Sequence, residues 1–371
     1  MKKTAFAIAV LALAGANAHA QSSVTVYGIV DVGVTYTSKV GAANGSRMSL
    51  DSGDQSASRI GFKGVEDLGG GLSAIFNVEN GFAADTGAMT TANTLFDRKS
   101  VVGLSGGFGT VTLGRQTDYL EDIGLKYTSV STFGGNGTKA GHFNNLDRTA
   151  GGARTDNSIR YDTTNMGGFT GSLFYGFGEV AGNNSAGQSF GIAANYANGP
   201  LGIGGGYYQT KLSADALPAR AGDTSLKTFS IGTSYQAGPV KLYGTWSQIK
   251  QPAAVAVAAT GLTNITNANK ANVFDVGADY LITPNLHLMG AVIYDRVSIK
   301  RATAGSTSGS TTQLNVGVDY YLSKRTDVYA LYSNQRAKDV NNPGVINAAY
   351  SSAPSGDATE NVFRVGLRHR F

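Results

Sequence analysis

The sequence has no cysteine, seven prolines and one tryptophan among 371 residues. Without cysteine there is no disulfide framework and no thiolate chemistry, so a chain of this length must be held by its core or by its surroundings. Beyond residue 20 no segment approaches 18 consecutive apolar residues, which excludes a conventional transmembrane helix. Helical periodicity is also missing almost everywhere. Histidine is sparse: past the first 20 residues only His142, His287 and His369 occur, without metal-ligand spacing, so no metal and no cofactor is expected. His287 has no serine motif near it, and EDLGGGL at 66–72 lacks the G-K-[ST] ending of a phosphate loop. The chain is not expected to be an enzyme.

Met1-Lys2-Lys3, the apolar stretch from Phe6 to Leu13 and Ala18-His19-Ala20 read as the three regions of a secretory signal. Residues 1–20 are therefore expected to be cleaved, leaving one domain over 21–371. Lys2 and Lys3 leave with the signal, so the remaining 28 Lys and Arg exceed the 25 Asp and Glu by three. That slight surplus gives no reason to expect nucleic acid as a partner.

What is abundant is glycine (51), tyrosine (18) and phenylalanine (16), set in short alternating segments separated by Gly/Asn/Ser turns. This is the pattern of an all-β chain. Sixteen strands are expected, near 24–36, 56–66, 72–82, 95–105, 109–116, 155–163, 168–178, 188–197, 201–212, 225–236, 240–250, 270–280, 286–299, 311–321, 327–338 and 361–371. Tight turns at 67–71, 106–108, 198–200, 237–239 and 281–285 alternate with longer connections, among them 37–55, 117–154, 251–269 and 339–360. Tyr196, Tyr235, Tyr280 and Tyr320 each precede a tight turn on the parity of the apolar residues, as an aromatic girdle at a membrane–water boundary would.

The last strand separates cleanly by parity. Phe363, Val365, Leu367, His369 and Phe371 share one face; Arg364, Gly366, Arg368 and Arg370 share the other. An arginine on the lipid side near the membrane midplane would cost about 2–4 kcal/mol, so the arginines face inward, towards water. Hydrocarbon cannot satisfy a free sheet edge, so such a sheet must close. The expected fold is a 16-stranded antiparallel transmembrane β-barrel with a wet interior. On the inward parity stand the cations Arg59, Lys63, Arg98, Arg154 and Arg160. The connection 117–153 is long enough to imply function, and its early part carries the acids Asp118, Glu121 and Asp122, with Asp147 later.

From Val24 to Phe371 the chain resembles the Gram-negative trimeric porins of the β-proteobacterial type. The stretches that carry the likeness are SVTVYGIVDVG, SRIGFKGVEDLGGGLSAIFNVENGF, VGLSGGFGTVTLGRQ, NSIRYD and VGLRHRF. The resemblance implies an outer-membrane homotrimer whose third loop folds inward and narrows a pore for small hydrophilic solutes and ions. It implies contact with lipid and lipopolysaccharide, and a role for Phe371 in the signal read by the assembly machinery. It also implies that Arg59, Arg98 and one of Arg154 or Arg160 form a basic ladder opposite the loop acids. Loops of the family often carry an acid beside a Phe-Gly at the tip. Here 130–135 reads Val-Ser-Thr-Phe-Gly-Gly, so the narrow zone is expected to be cationic and modestly anion-selective. Three other readings stay open: arginines that only solvate the lumen, a channel specific for one solute, and a barrel whose surface loops act as an adhesin or receptor.

Overall fold

The computed structural model describes residues 23–41, 43–133, 142, 147–149, 153–211, 225–250, 268–301, 305–339 and 357–371. The expected signal at 1–20 and most of the connections 251–269 and 339–360 lie outside them. Seventeen strand segments occur among the described residues: β1 (Ser23–Val40), β2 (Gly45–Ser52), β3 (Arg59–Gly69), β4 (Leu72–Gly81), β5 (Lys99–Gly106), β6 (Gly109–Thr117), β7 (Arg154–Asp162), β8 (Phe169–Gly176), β9 (Ser189–Asn198), β10 (Leu201–Lys211), β11 (Ser225–Ala237), β12 (Val240–Lys250), β13 (Ala268–Thr283), β14 (Leu286–Arg301), β15 (Gly305–Tyr321), β16 (Thr326–Lys338) and β17 (Thr359–Arg370).

Every pairing is antiparallel, and from β3 onward each strand pairs with its successor. The ring closes where β1 meets β17, from Ile29 opposite Arg370 to Thr37 opposite Val362. Gly28 and Phe371 complete the seam by exchanging both backbone hydrogen bonds at 3.1 Å. On its other edge β1 pairs with β3 over its first half and with β2 over its second. Thus β2 and β3 share one wall position, and the barrel has sixteen.

That broken position corrects one expectation. Residues 37–55 are not a long loop: β1 runs to Val40, turns through Asn44 at φ 53°, and returns as β2. Met48 and Leu50 alternate outward along β2; the many Gly, Asn and Ser residues around them mask that signal. The true interruption is 53–58, level with the barrel wall. There Gly53 N donates to Asp31 O at 2.8 Å and Ser56 N donates to the Asp31 carboxylate at 2.6 Å, so a buried acid on β1 fixes the break. A smaller correction concerns Arg98, which lies just ahead of β5 rather than on a strand and has the parity of the outward Val102 and Leu104, so it reaches the bore from a turn and not by strand alternation.

Parity behaves as the physics requires. Val24, Val26, Val34, Phe363, Val365 and Leu367 are exposed on the outer face, and so are Tyr196, Tyr235, Tyr280 and Tyr320 near the tight turns. Arg364 and Arg368 are buried inside, at 0 % and 5 % exposure. The barrel is thus apolar outside, where hydrocarbon replaces a core, and polar inside.

The interior is not uniformly polar. Between β6 and β7 the chain forms α1 (Tyr119–Tyr127) and α2 (Val130–Phe133). Asp118 caps α1 by accepting from Leu120 N at 2.8 Å, and Glu121 and Asp122 occupy its first turn, where the helix dipole favours acids. Its buried face is Tyr119, Leu120, Ile123, Gly124 and Tyr127. Small apolar clusters join this segment to the wall. Tyr119, Ile123 and Tyr127 pack with Ala193, Leu120 packs with Phe174 and Tyr208, and Phe133 packs with Met289, Ala291, Tyr329 and Leu331.

Candidate functional site

The helical segment lies on lumen-parity residues of β8 to β16 and leaves the opposite side of the bore open. Two wall glycines make the close fit possible. A Cβ on Gly204 would meet Ile123 Cδ1 at 2.6 Å, and one on Gly232 would meet Tyr127 Cβ at the same distance. Polar contacts fix the placement: Tyr127 Oη donates to Asn195 at 2.5 Å, and Thr245 Oγ1 donates to Tyr127 O at 2.7 Å. Across the bore, Gln55 Nε2 in the β2–β3 break donates to Thr132 O at 3.2 Å.

The space left open is a cavity of about 280 Å³. Arg59, Arg98 and Arg154 line one part of it, with Arg368 and Arg370 nearer the tight-turn end. Facing them are Glu121 and Leu125 of α1 and residues 130–132 of α2, and Asp279, His287 and Asp319 lie on the remaining wall.

The structure brings together four of the eight residues read from the sequence as the facing wall and loop: Arg59, Arg98, Arg154 and Glu121. Arg98 bonds Glu79 at 2.5 Å, Arg59 lies 3.8 Å from the same carboxylate, and Arg154 Nε donates to Arg98 O at 2.7 Å. Glu121 reaches the cavity with Oε2 shielded and without a hydrogen-bond partner among the described residues. That burial raises its carboxyl above the usual range, while Arg154 and Arg98 pull the other way.

The other four lie elsewhere. Lys63 sits lower on β3, its ammonium 5.4 Å from the centre of the Tyr27 ring. Arg160 is taken up by Asp122 at 2.5 Å and Asp162 at 2.9 Å, so both Arg160 and Asp122 anchor α1 to β7. Asp118 is held by Arg148, whose guanidinium stacks 4.0 Å from the centre of the Tyr208 ring.

The sequence reading placed Arg368 and Arg370 on the inner face without assigning them to this cavity, and it missed Glu79, the acid behind Arg98. It also missed the α1 helix, although Asp118 followed by Glu121 before an apolar run is a helix-start signal. Another usable signal was β14, where Met289, Ala291 and Ile293 alternate with Leu288, Val292 and Tyr294. A strand apolar on both parities needs cover on both faces.

A closed barrel with an apolar exterior and a charged, partly filled bore is an outer-membrane channel. Residues 5–340 match the Gram-negative porin family, and the chain belongs to that family, which is one of channels and not of enzymes. It is 34 % identical to outer membrane porin protein 32 of Delftia acidovorans and 30 % identical to an outer membrane porin protein of Bordetella pertussis, each over the whole of both chains. Among solved structures, an anion-selective porin from Comamonas acidovorans superposes with a TM-score of 0.76 at 30 % identity, over 95 % of this chain and 100 % of that one. OmpT of Vibrio cholerae in a trimer form matches at 0.63 and 17 % identity, over 94 % and 99 %; that likeness concerns the fold.

Proposed function

We propose that this porin is a general diffusion channel for small hydrophilic solutes, modestly anion-selective, with its narrow zone between Arg59, Arg98 and Arg154 on the wall and Glu121 on the third loop. The observation that carries the selectivity is the layering of charge. Five guanidinium groups line the cavity against Glu121, Asp279 and Asp319, while Glu79 and Asp327 stand behind arginines they pair with. In the Glu79 and Asp327 pairs the passage therefore meets the positive end first, whereas Asp319, which also pairs with Arg368, lines it directly. Screening over about 8 Å at physiological salt confines this field to the narrow zone. The backing acids keep the preference modest, and the likeness to a porin described as anion-selective supports the same sign.

Lys63, Arg160, Asp118 and Asp122 are proposed as supports of the wall and loop rather than as charges met by solute. Assembly as a homotrimer is proposed on family membership and on the trimer form of OmpT. Phe371 is proposed to serve assembly from its place at the seam, where its ring covers Gly28. Cleavage of residues 1–20 belongs to the same proposal.

Reconstitution in a planar bilayer tests the reading. Under a salt gradient the zero-current potential should take the anion-selective sign and grow in dilute salt, with current linear in concentration. A cation-selective sign would overturn the charge assignment. Saturation by one nutrient would favour a solute-specific channel.

A further inference from the structure

The third loop carries a buried charge cluster that the permeation path does not use. His142 has no exposed side-chain surface. Its Nδ1 lies 2.7 Å from Asp147 Oδ2 and its Nε2 lies 2.9 Å from Asp275 Oδ2, both carboxylates being equally buried. Asp147 is on the loop; Asp275 is on the lumen face of β13. Asp275 Oδ2 also accepts from Ser129 N at 2.7 Å and from Ser129 Oγ at 2.8 Å. Thr149 Oγ1 donates to Asp147 Oδ2 at 2.8 Å. One carboxylate oxygen of the wall thus gathers three donors from two separated parts of the loop.

A neutral imidazole carries one N–H and could donate to only one of these acids, leaving the other carboxylate facing a ring lone pair. Both nitrogens are within bonding distance of a carboxylate, an arrangement that favours the doubly protonated ring, and Thr149 Oγ1 also lies 2.8 Å from Nδ1. The groups facing His142 are Asp147, Thr149 and Ser129 from the loop and Asp275 from β13, with Ser247 of β12 bonding Asp147 and Tyr243 of β12 near Asp275. None of these groups is a cation. With the imidazolium present the cluster carries one net negative charge, and with the neutral ring it carries two in a space closed to water, which is costly.

We infer that His142 is a positioning residue, an imidazolium clasp that pins the third loop to β13 and thereby holds the aperture, and that alkaline pH releases it. This rests on the reading that the third loop sets the narrow zone. Asp147 and Asp275 outweigh the effect of burial and hold the ring well above the ordinary histidine value. A group raised in the folded state contributes stability that is complete below its unfolded value of about 6.5 and is lost as pH climbs through the raised value. The release therefore lies on the alkaline side, and mild acid leaves the clasp shut.

Two measurements on the full-length protein test this. Hydrogen exchange of peptides covering 119–133, corrected for the intrinsic pH dependence, should speed up by about tenfold between about pH 7 and about pH 10, with β-strand peptides unchanged. Open-channel current noise should rise over the same interval. In His142→Gln, which cannot be charged, the loop should exchange fast already at neutral pH and both pH dependences should vanish, while the heat-modifiable barrel persists. Should His142→Gln fail to assemble, the wild-type exchange profile still decides. Flat exchange across the interval, or an unchanged alkaline midpoint in His142→Gln, would overturn the clasp. Loop release without any change in current would leave the clasp standing and refute the role of the loop in setting the aperture.

Discussion

The two sides of the lumen are built on opposite principles. From β8 to β16 much of the inner face is glycine, alanine and apolar side chain, and it is dry where α1 and α2 lie on it. From β17 through β1 to β7 it is rich in arginine, aspartate and glutamate, and it is wet. Both sides follow the same alternation of strand residues, and both have the same apolar exterior. What differs is which neighbour the inward parity was made to meet, a helix or water. A barrel of one architecture can therefore hold a packed core over part of its circumference and a charged passage over the rest, and substitutions on the two sides should fail in different ways.

The largest effect should come from the dry side. Gly232→Leu places bulk where a Cβ already meets Tyr127 at 2.6 Å, and overpacking of this kind costs about 1–3 kcal/mol. The loop is expected to lift from β11, changing single-channel conductance and exposing the loop to protease in assembled protein. Normal conductance with an intact loop would show that the packing is not tight.

Next in size is Arg98→Ser on the wet side. It removes a guanidinium from the passage and uncovers the Glu79 carboxylate it holds at 2.5 Å, so the local charge changes twice over. The anion-to-cation permeability ratio should fall on the order of twofold, the scale on which one screened charge alters a local potential. The conductance should change far less than in Gly232→Leu. Glu121→Gln should move the ratio the other way, by less, because the shielded carboxyl already leans towards its neutral form.

Smaller still should be Asp122→Asn, which loosens α1 from Arg160 but leaves Asp162 to pair with it. A loss of about 1 kcal/mol in thermal stability, with selectivity unchanged, is expected for a partly exposed pair. Lys63→Ser should alter neither stability nor zero-current potential measurably. A selectivity shift in Lys63→Ser would extend the narrow zone well below Arg59.

These expectations also show how far the residues themselves could be read. The strands were legible because hydrocarbon outside and water inside impose a strict period of two, and the Tyr residues before the tight turns mark one boundary. Arg59 was legible as an inward cation for the same reason, whereas Arg98 has the parity of the exposed Val102 and Leu104 and reaches the bore only because it lies ahead of β5. Parity could not say what a charge faces across the bore. Asp118, Asp122 and Arg160 look like lumen charges in the sequence, yet they are partners that hold the loop, because pairing depends on where α1 lands. The landing site was written in the chain as Gly202, Gly204 and Gly206 on the inward parity of β10, a glycine at every second position. Without a known helix to set upon it, that row resembles any flexible stretch.

The hydrogen bond from Gln55 to Thr132 has one further consequence. It joins a segment rooted in the dry side to the break in the wall opposite, so the narrow zone proposed for solute is framed by an inner arch and not by the circumference of the barrel. Girth and calibre are then separate quantities. Insertions in the outer strands, or a membrane of different thickness, can deform the cylinder while the arch keeps its span. Conversely, a few residues in the arch can retune what passes without any strand being rebuilt.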